Sequence, residues 1–125
     1  MKRVLIIDDE KDVLNVLSRI IEKLCYVFDT AQTWQKALEF YKSNQYDLVL
    51  LDVNMPEKDG FQLACEMKAL RPGQKILIIT GLGAGDVYAR FSECDVEIDG
   101  MLYKPFSVRK VKQLVEDTIG PANQN

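Results

Sequence analysis

Along the 125-residue chain, short apolar runs alternate with amphipathic stretches from end to end. RVLII (3–7), VFDTA (27–31), DLVLL (47–51), KILII (75–79) and GMLY (100–103) have the length and β-branched content of strands. Helical periods lie between them. Val13, Leu17, Ile20 and Leu24 make one stripe over 12–24, flanked by Leu14 and Ile21. Trp34, Ala37, Leu38 and Tyr41 make a second with Thr33 as N-cap, and Leu63, Ala64, Met67 and Leu70 a third, ended by RPG. Val87, Tyr88 and Phe91 form a short fourth stripe. Val108, Val111, Leu114, Val115 and Ile119 form a fifth, with Ser107 as cap and GP as stop. Strict alternation of strand and helix predicts an α/β fold, a parallel sheet with helices on both faces. The first, third and fourth runs are almost wholly apolar, as central strands buried on both sides should be, while VFDTA suits an edge.

Length and pattern fit one domain over residues 1–119, followed by a polar tail at 120–125. No apolar run approaches the length that crosses a bilayer, and MKR leads straight into a strand, without the apolar region and cleavage site of a signal peptide. The expectation is a cytoplasmic protein with no membrane association. Net charge is −3 with acids and bases mixed, so there is no basic footprint for direct nucleic-acid binding. Cys25, Cys65 and Cys94 are odd in number and far apart, which argues against disulfides and a zinc site and predicts small buried residues. There is no histidine, which excludes histidine-based nucleophilic catalysis and histidine-ligated metals.

In a parallel sheet of this kind, ligands bind at the carboxyl ends of the strands. The first strand ends in DDE (8–10), the third in Asp52, the fourth in Thr80 and the fifth in Lys104 before Pro105. Each residue also has a local explanation. Asp9 can cap the first helix, Asp52 can open an Asx-turn, Thr80 is a common strand residue and Lys104 can snorkel to solvent. Together they would converge on one crevice. Two carboxylates ~4 Å apart repel by about 4 kcal/mol at an effective dielectric near 20. Lys104 supplies one counter-charge, which leaves room for a divalent cation. An all-oxygen donor set that keeps waters suits Mg²⁺ better than Ca²⁺. Such a site is equipped for phosphoryl transfer, with Asp52 as the nucleophile that forms an aspartyl phosphate and with Lys104 and Thr80 on the phosphoryl oxygens.

The glycines of ILIITGLGAGD (76–86) invite a dinucleotide reading, but Gly81, Gly83 and Gly85 give G-x-G-x-G, followed by Asp86. The fingerprint needs G-x-G-x-x-G/A after the first strand. Thr80 is then the functional residue, and the glycines loosen the loop after it.

LIIDDE, DLVLLDVNMPEKDG, IIT and YKPF, in this order and spacing, resemble the response-regulator receiver domain of two-component signalling, over essentially the whole chain. The resemblance implies a flavodoxin-like, doubly wound five-stranded parallel sheet in order 2-1-3-4-5 with five helices. It implies Asp52 as phosphoacceptor, and Mg²⁺ held by Asp8, Asp9, Asp52 and the backbone carbonyl of Asn54. It implies Thr80 as the switch hydroxyl, Lys104 as the phosphoryl-binding lysine, and a cis Lys104–Pro105 peptide that aims the ammonium into the crevice. The donor would be a phosphohistidine on a sensor histidine kinase or a histidine phosphotransfer protein. A downstream effector protein or an output domain beyond this sequence would read the result, and the family often forms homodimers through its fourth-helix, fifth-strand and fifth-helix face.

Two departures stand out. Met101 occupies the position, three before the lysine, where the family usually has an aromatic switch residue, and Tyr103 is the nearest aromatic. The stretch from Thr80 to Lys104 is also slightly long, so signalling is expected to run through a mobile loop after the fourth strand. Three rivals remain. A haloacid-dehalogenase-type phosphatase would use Asp52 but wants an aspartate where Asn54 stands. A flavin or nucleotide carrier wants hydroxyls and glycines where DDEKD stands. A degenerate receiver would act as a constitutive protein–protein module.

Overall fold

The computed structural model describes residues 1–55, 60–81, 89, 91 and 97–122. Five strands form one parallel sheet in the order β2-β1-β3-β4-β5, with β1 at Arg3–Ile7, β2 at Val27–Ala31, β3 at Leu48–Asp52, β4 at Ile76–Thr80 and β5 at Gly100–Tyr103. The described helices are α1 (Lys11–Lys23), α2 (Trp34–Ser43), α3 (Gly60–Leu70) and α4 (Val108–Ile119). As expected, VFDTA is an edge strand and the three apolar runs are central. Of the short fourth helical stripe, Val87 and Tyr88 lie outside the described residues. Phe91 is helical and buried, its ring centroid 4.6 Å from that of Phe61.

The period of two along each strand builds two cores. Leu5, Ile7, Val49, Leu51, Ile76 and Ile78 cluster with Ala37, Tyr41, Leu63 and Met67 from α2 and α3. Val4, Ile6, Leu48, Leu50, Leu77 and Ile79 cluster with Leu17, Ile21, Val111 and Val115 from α1 and α4. Every residue of β3 and β4 is buried, as the near-continuous apolar runs require.

Helix ends follow local chemistry. The hydroxyls of Thr33 and Ser107 accept from the backbone N–H of Lys36 and Lys110, capping α2 and α4 at the expected residues. α1 ends in a Schellman pattern, in which the Cys25 N–H donates to the Glu22 carbonyl and the Tyr26 N–H to that of Ile21. Cys25 takes the left-handed position of that motif at φ 68 and is exposed, and Cys65 is half-buried, so the expectation of buried cysteines fails for both, while Cys94 lies outside the described residues. A turn position drives the first outcome, since this site needs a positive φ and offers no core. The carboxyl end of α4 is closed by distant groups: the Tyr26 hydroxyl donates to the Gly120 carbonyl at 2.6 Å, and the Lys2 ammonium to that of Ile119.

Gly60, the first residue of α3, fixes how closely that helix approaches the end of β3. A Cβ there would fall 2.5 Å from Val53 Cα and 2.6 Å from the Asp52 carbonyl oxygen. Backbone on both sides leaves nothing to yield. Gly60→Ala should therefore destabilise the domain by roughly 2–3 kcal/mol in urea unfolding, through overpacking. An unchanged midpoint would mean that α3 can shift away freely.

Candidate functional site

The parallel arrangement places the carboxyl ends of β1, β3, β4 and β5 along one rim. Asp8 follows β1, Asp52 ends β3, Thr80 ends β4, and Lys104 follows β5. The third and fourth strands run one residue further than their apolar runs, so Asp52 and Thr80 belong to the ladder itself, opposite Ile79 and Tyr103. Ile7 pairs with Leu51, so Asp8 and Asp52 stand one step further along neighbouring strands. Like charges opposite one another in a sheet repel. Both acids are buried, at 0% and 1% exposure.

Each buried carboxylate spends one oxygen locally. Asp52 Oδ1 accepts from the Asn54 N–H at 2.9 Å, and Asp8 Oδ1 accepts from the Glu10 N–H at 2.9 Å. The Asx-turn considered for Asp52 is thus real, and it accounts for only half of the group. Asp8 Oδ2 and Asp52 Oδ2 are both buried without a hydrogen-bond partner. Both face the Lys104 ammonium, whose Nζ lies 3.4 Å from Asp8 Oδ2 and 3.6 Å from Asp52 Oδ2. One ammonium faces two buried carboxyl groups.

Around this centre, Asp9 is half-buried and its carbonyl accepts from Gln32 at 3.4 Å. The N-cap of α1 is Glu10 and not Asp9, so helix capping does not explain Asp9. Carboxylate oxygens of Asp8, Asp9 and Glu10 lie within 4.8 Å of one another. Asn54 is exposed, and Thr80 is buried, with its carbonyl accepting from the Lys104 N–H at 3.0 Å. The Lys104–Pro105 peptide is cis. Met101 is half-buried against the α2–α3 core, and Tyr103 is exposed at 47%. Residues 82–88, including Gly83 and Gly85, lie outside the described residues, as does the mobility expected of them.

Glu10 was not among the site residues expected from sequence. Its Oε1 sits 3.3 Å from Lys104 Nζ. The signal available was slight: an acid directly after the Asp pair, of a type that caps helices poorly.

Burial raises the Asp8 carboxyl to about 7. The Asp52 charge adds to the rise, and the Glu10 N–H bond and Lys104 oppose it. Lys104 is pulled down by burial, but Asp52, Asp8 and Glu10 together outweigh that and hold it above its ordinary value. Two buried oxygens without donors, in an all-oxygen set with excess negative charge, fit a hard divalent cation.

Folding raises the affinity of Asp8 for a proton, so its contribution favours the fold at low pH and is lost as pH rises through about 7. With divalent cations chelated, unfolding free energy should fall by on the order of 2–3 kcal/mol between about pH 5 and about pH 8. Asp8→Asn should flatten that slope and stabilise the chelated domain at the upper end. Urea titrations across pH test both, and a chelated domain that gains stability over this range would contradict the assignment.

The response regulator receiver domain family matches residues 4–116. The chain is 30% identical to the chemotaxis protein CheY of Halobacterium salinarum over 94% of its own length and 97% of the relative. It is 28% identical to the probable transcriptional regulator ycf27 of Guillardia theta over 98% of its length, and spans about half (47%) of that protein. Among solved structures it resembles the response regulator TrrA of Thermotoga maritima, determined in complex with Mg²⁺–BeF, with a TM-score of 0.83, 30% identity and coverage of 94% and 99% of the two chains. No helix among the described residues is long and apolar enough to cross a membrane. Fold, matched span and the acid-rich rim with its lysine agree, and the chain belongs to the response regulator receiver domains, the phosphoacceptor signalling domains of two-component systems.

Proposed function

We propose that Asp52 accepts a phosphoryl group from a phosphohistidine on a sensor histidine kinase or histidine phosphotransfer protein in the cytoplasm. The observation that carries this reading is the pair of buried, donorless Oδ2 atoms on Asp8 and Asp52, both turned to the Lys104 ammonium. The Asn54 N–H holds Asp52 through Oδ1, which leaves Oδ2 as the nucleophilic atom. It attacks phosphorus in line as the bond to the donor imidazole breaks, and the imidazole leaves with that electron pair. Asp8, Asp9, Asp52 and the Asn54 carbonyl would hold Mg²⁺, which offsets charge on the phosphoryl oxygens and lets two anions meet.

Lys104, in contact with both Asp8 and Asp52, adds a positive charge beside the new group. Thr80, buried at the end of the adjacent strand, supplies the hydroxyl drawn toward it. The new charge and acceptor oxygens bias the domain between two surface states, which an effector protein or a linked output domain reads. The chain promotes phosphoryl transfer onto its own Asp52 and turns over no separate substrate. A phosphatase would need a general acid at residue 54, and the Asn54 carboxamide carries no such proton.

Intact-mass measurement after incubation with acetyl phosphate tests the reading. One adduct should form with Mg²⁺ and none with chelator, and Asp52→Asn should abolish it. Lys104→Ala should slow its formation by roughly a hundredfold, the typical cost of losing one transition-state donor. An adduct that survives Asp52→Asn would overturn the assignment.

A further inference from the structure

Lys104 has a third acidic partner. Glu10 Oε1 lies 3.3 Å from its Nζ, within hydrogen-bond distance and slightly nearer than either buried aspartate. Glu10 stands at the N-cap of α1 with extended backbone, yet its side chain makes no capping hydrogen bond. The preferred caps have shorter side chains, and glutamate is not among them. This carboxylate instead crosses from the start of α1 to the end of β5. At 60% side-chain exposure it is the outermost member of the group, whereas Asp8 and Asp52 are sealed.

We propose that Glu10 is a positioning residue that restrains Lys104 in the resting domain and competes with the incoming phosphoryl group for its ammonium. The proposal rests on the reading of Asp52 as phosphoacceptor. A single ammonium balanced between three carboxylates occupies a compromise position. Phosphorylation adds charge and acceptor oxygens on the Asp52 side only. Lys104 follows that change by giving up contact with Glu10, so Glu10 acts as a brake on the switched state. The pair is exposed on one side and screened by water, which limits its leverage to a few-fold. Glu10 is thus suited to tuning how readily the site is occupied, while the buried pair decides whether it can be.

The test is a double-mutant cycle at saturating Mg²⁺. Initial rates of adduct formation from acetyl phosphate are read by intact mass for the full chain, Glu10→Gln, Lys104→Ala and the double variant. Glu10→Gln keeps the shape and removes the charge. It should speed adduct formation roughly two- to fivefold in the native background, and the gain should vanish when Lys104 is alanine. A gain of equal size in both backgrounds would mean that Glu10 merely repels the anionic donor, and would overturn the proposal. No change, or a slower rate, in the native background would also overturn it. Should Lys104→Ala take up no phosphoryl group, the side-chain ¹⁵N signal of Lys104 in the resting, Mg²⁺-loaded domain decides. A shift on Glu10→Gln supports the contact, and an unmoved signal overturns it. If the unaltered chain forms no adduct at Asp52, the phosphoacceptor reading itself fails. If it does and the Glu10 variants match it, only the role of Glu10 fails.

Discussion

Two buried carboxylates share one ammonium at the rim of a parallel sheet, and the rest of the structure follows from holding them there. Asp8 and Asp52 stand side by side at the ends of neighbouring central strands, where both faces of the sheet are covered by helices. Neither can move into water without undoing the packing beneath it. Each has one oxygen fixed by a backbone N–H and one left without a donor. Lys104 brings a single positive charge, so the group has an unmet demand for more. A buried charge without full compensation is costly, and proteins retain such arrangements where function needs them.

The backbone is shaped around that demand. α3 starts against the end of β3, a close approach that the missing side chain of Gly60 allows. β5 pairs with β4 as far as Thr80 opposite Tyr103, which delivers Lys104 at the level of the two acids. α1 and α4 pack on the same face of the sheet as Val4, Ile6, Leu48 and Leu50. Asp8 and Asp52 keep step with those residues in the two-residue period, so the pattern that sorts apolar side chains also sets the two acids on one side.

Much of this was legible in the sequence because the signals were physical and redundant. Apolar runs two strands deep in the core cannot be mistaken for surface elements, and the caps at Thr33 and Ser107 do what their hydroxyls suggest. The convergence of Asp8, Asp52, Thr80 and Lys104 on one edge follows from parallel topology alone. What escaped was set by tertiary contact. β3 and β4 extend one residue beyond their apolar runs because neighbouring strands pair with Asp52 and Thr80, which hydropathy does not register. Glu10 carries no such signal in the sequence, since only the folded chain turns its carboxylate from the helix to Lys104. Residue type points Cys25 to the core, but a positive-φ helix stop decides its place.

Calorimetric titration of the full chain with Mg²⁺ at about pH 8 reads whether the acidic rim takes up a cation. One saturable site is expected in the native chain and none in Asp8→Asn, whose fold is retained or strengthened. Undiminished Mg²⁺ binding by a folded Asp8→Asn domain, or no binding by the native chain, would contradict it.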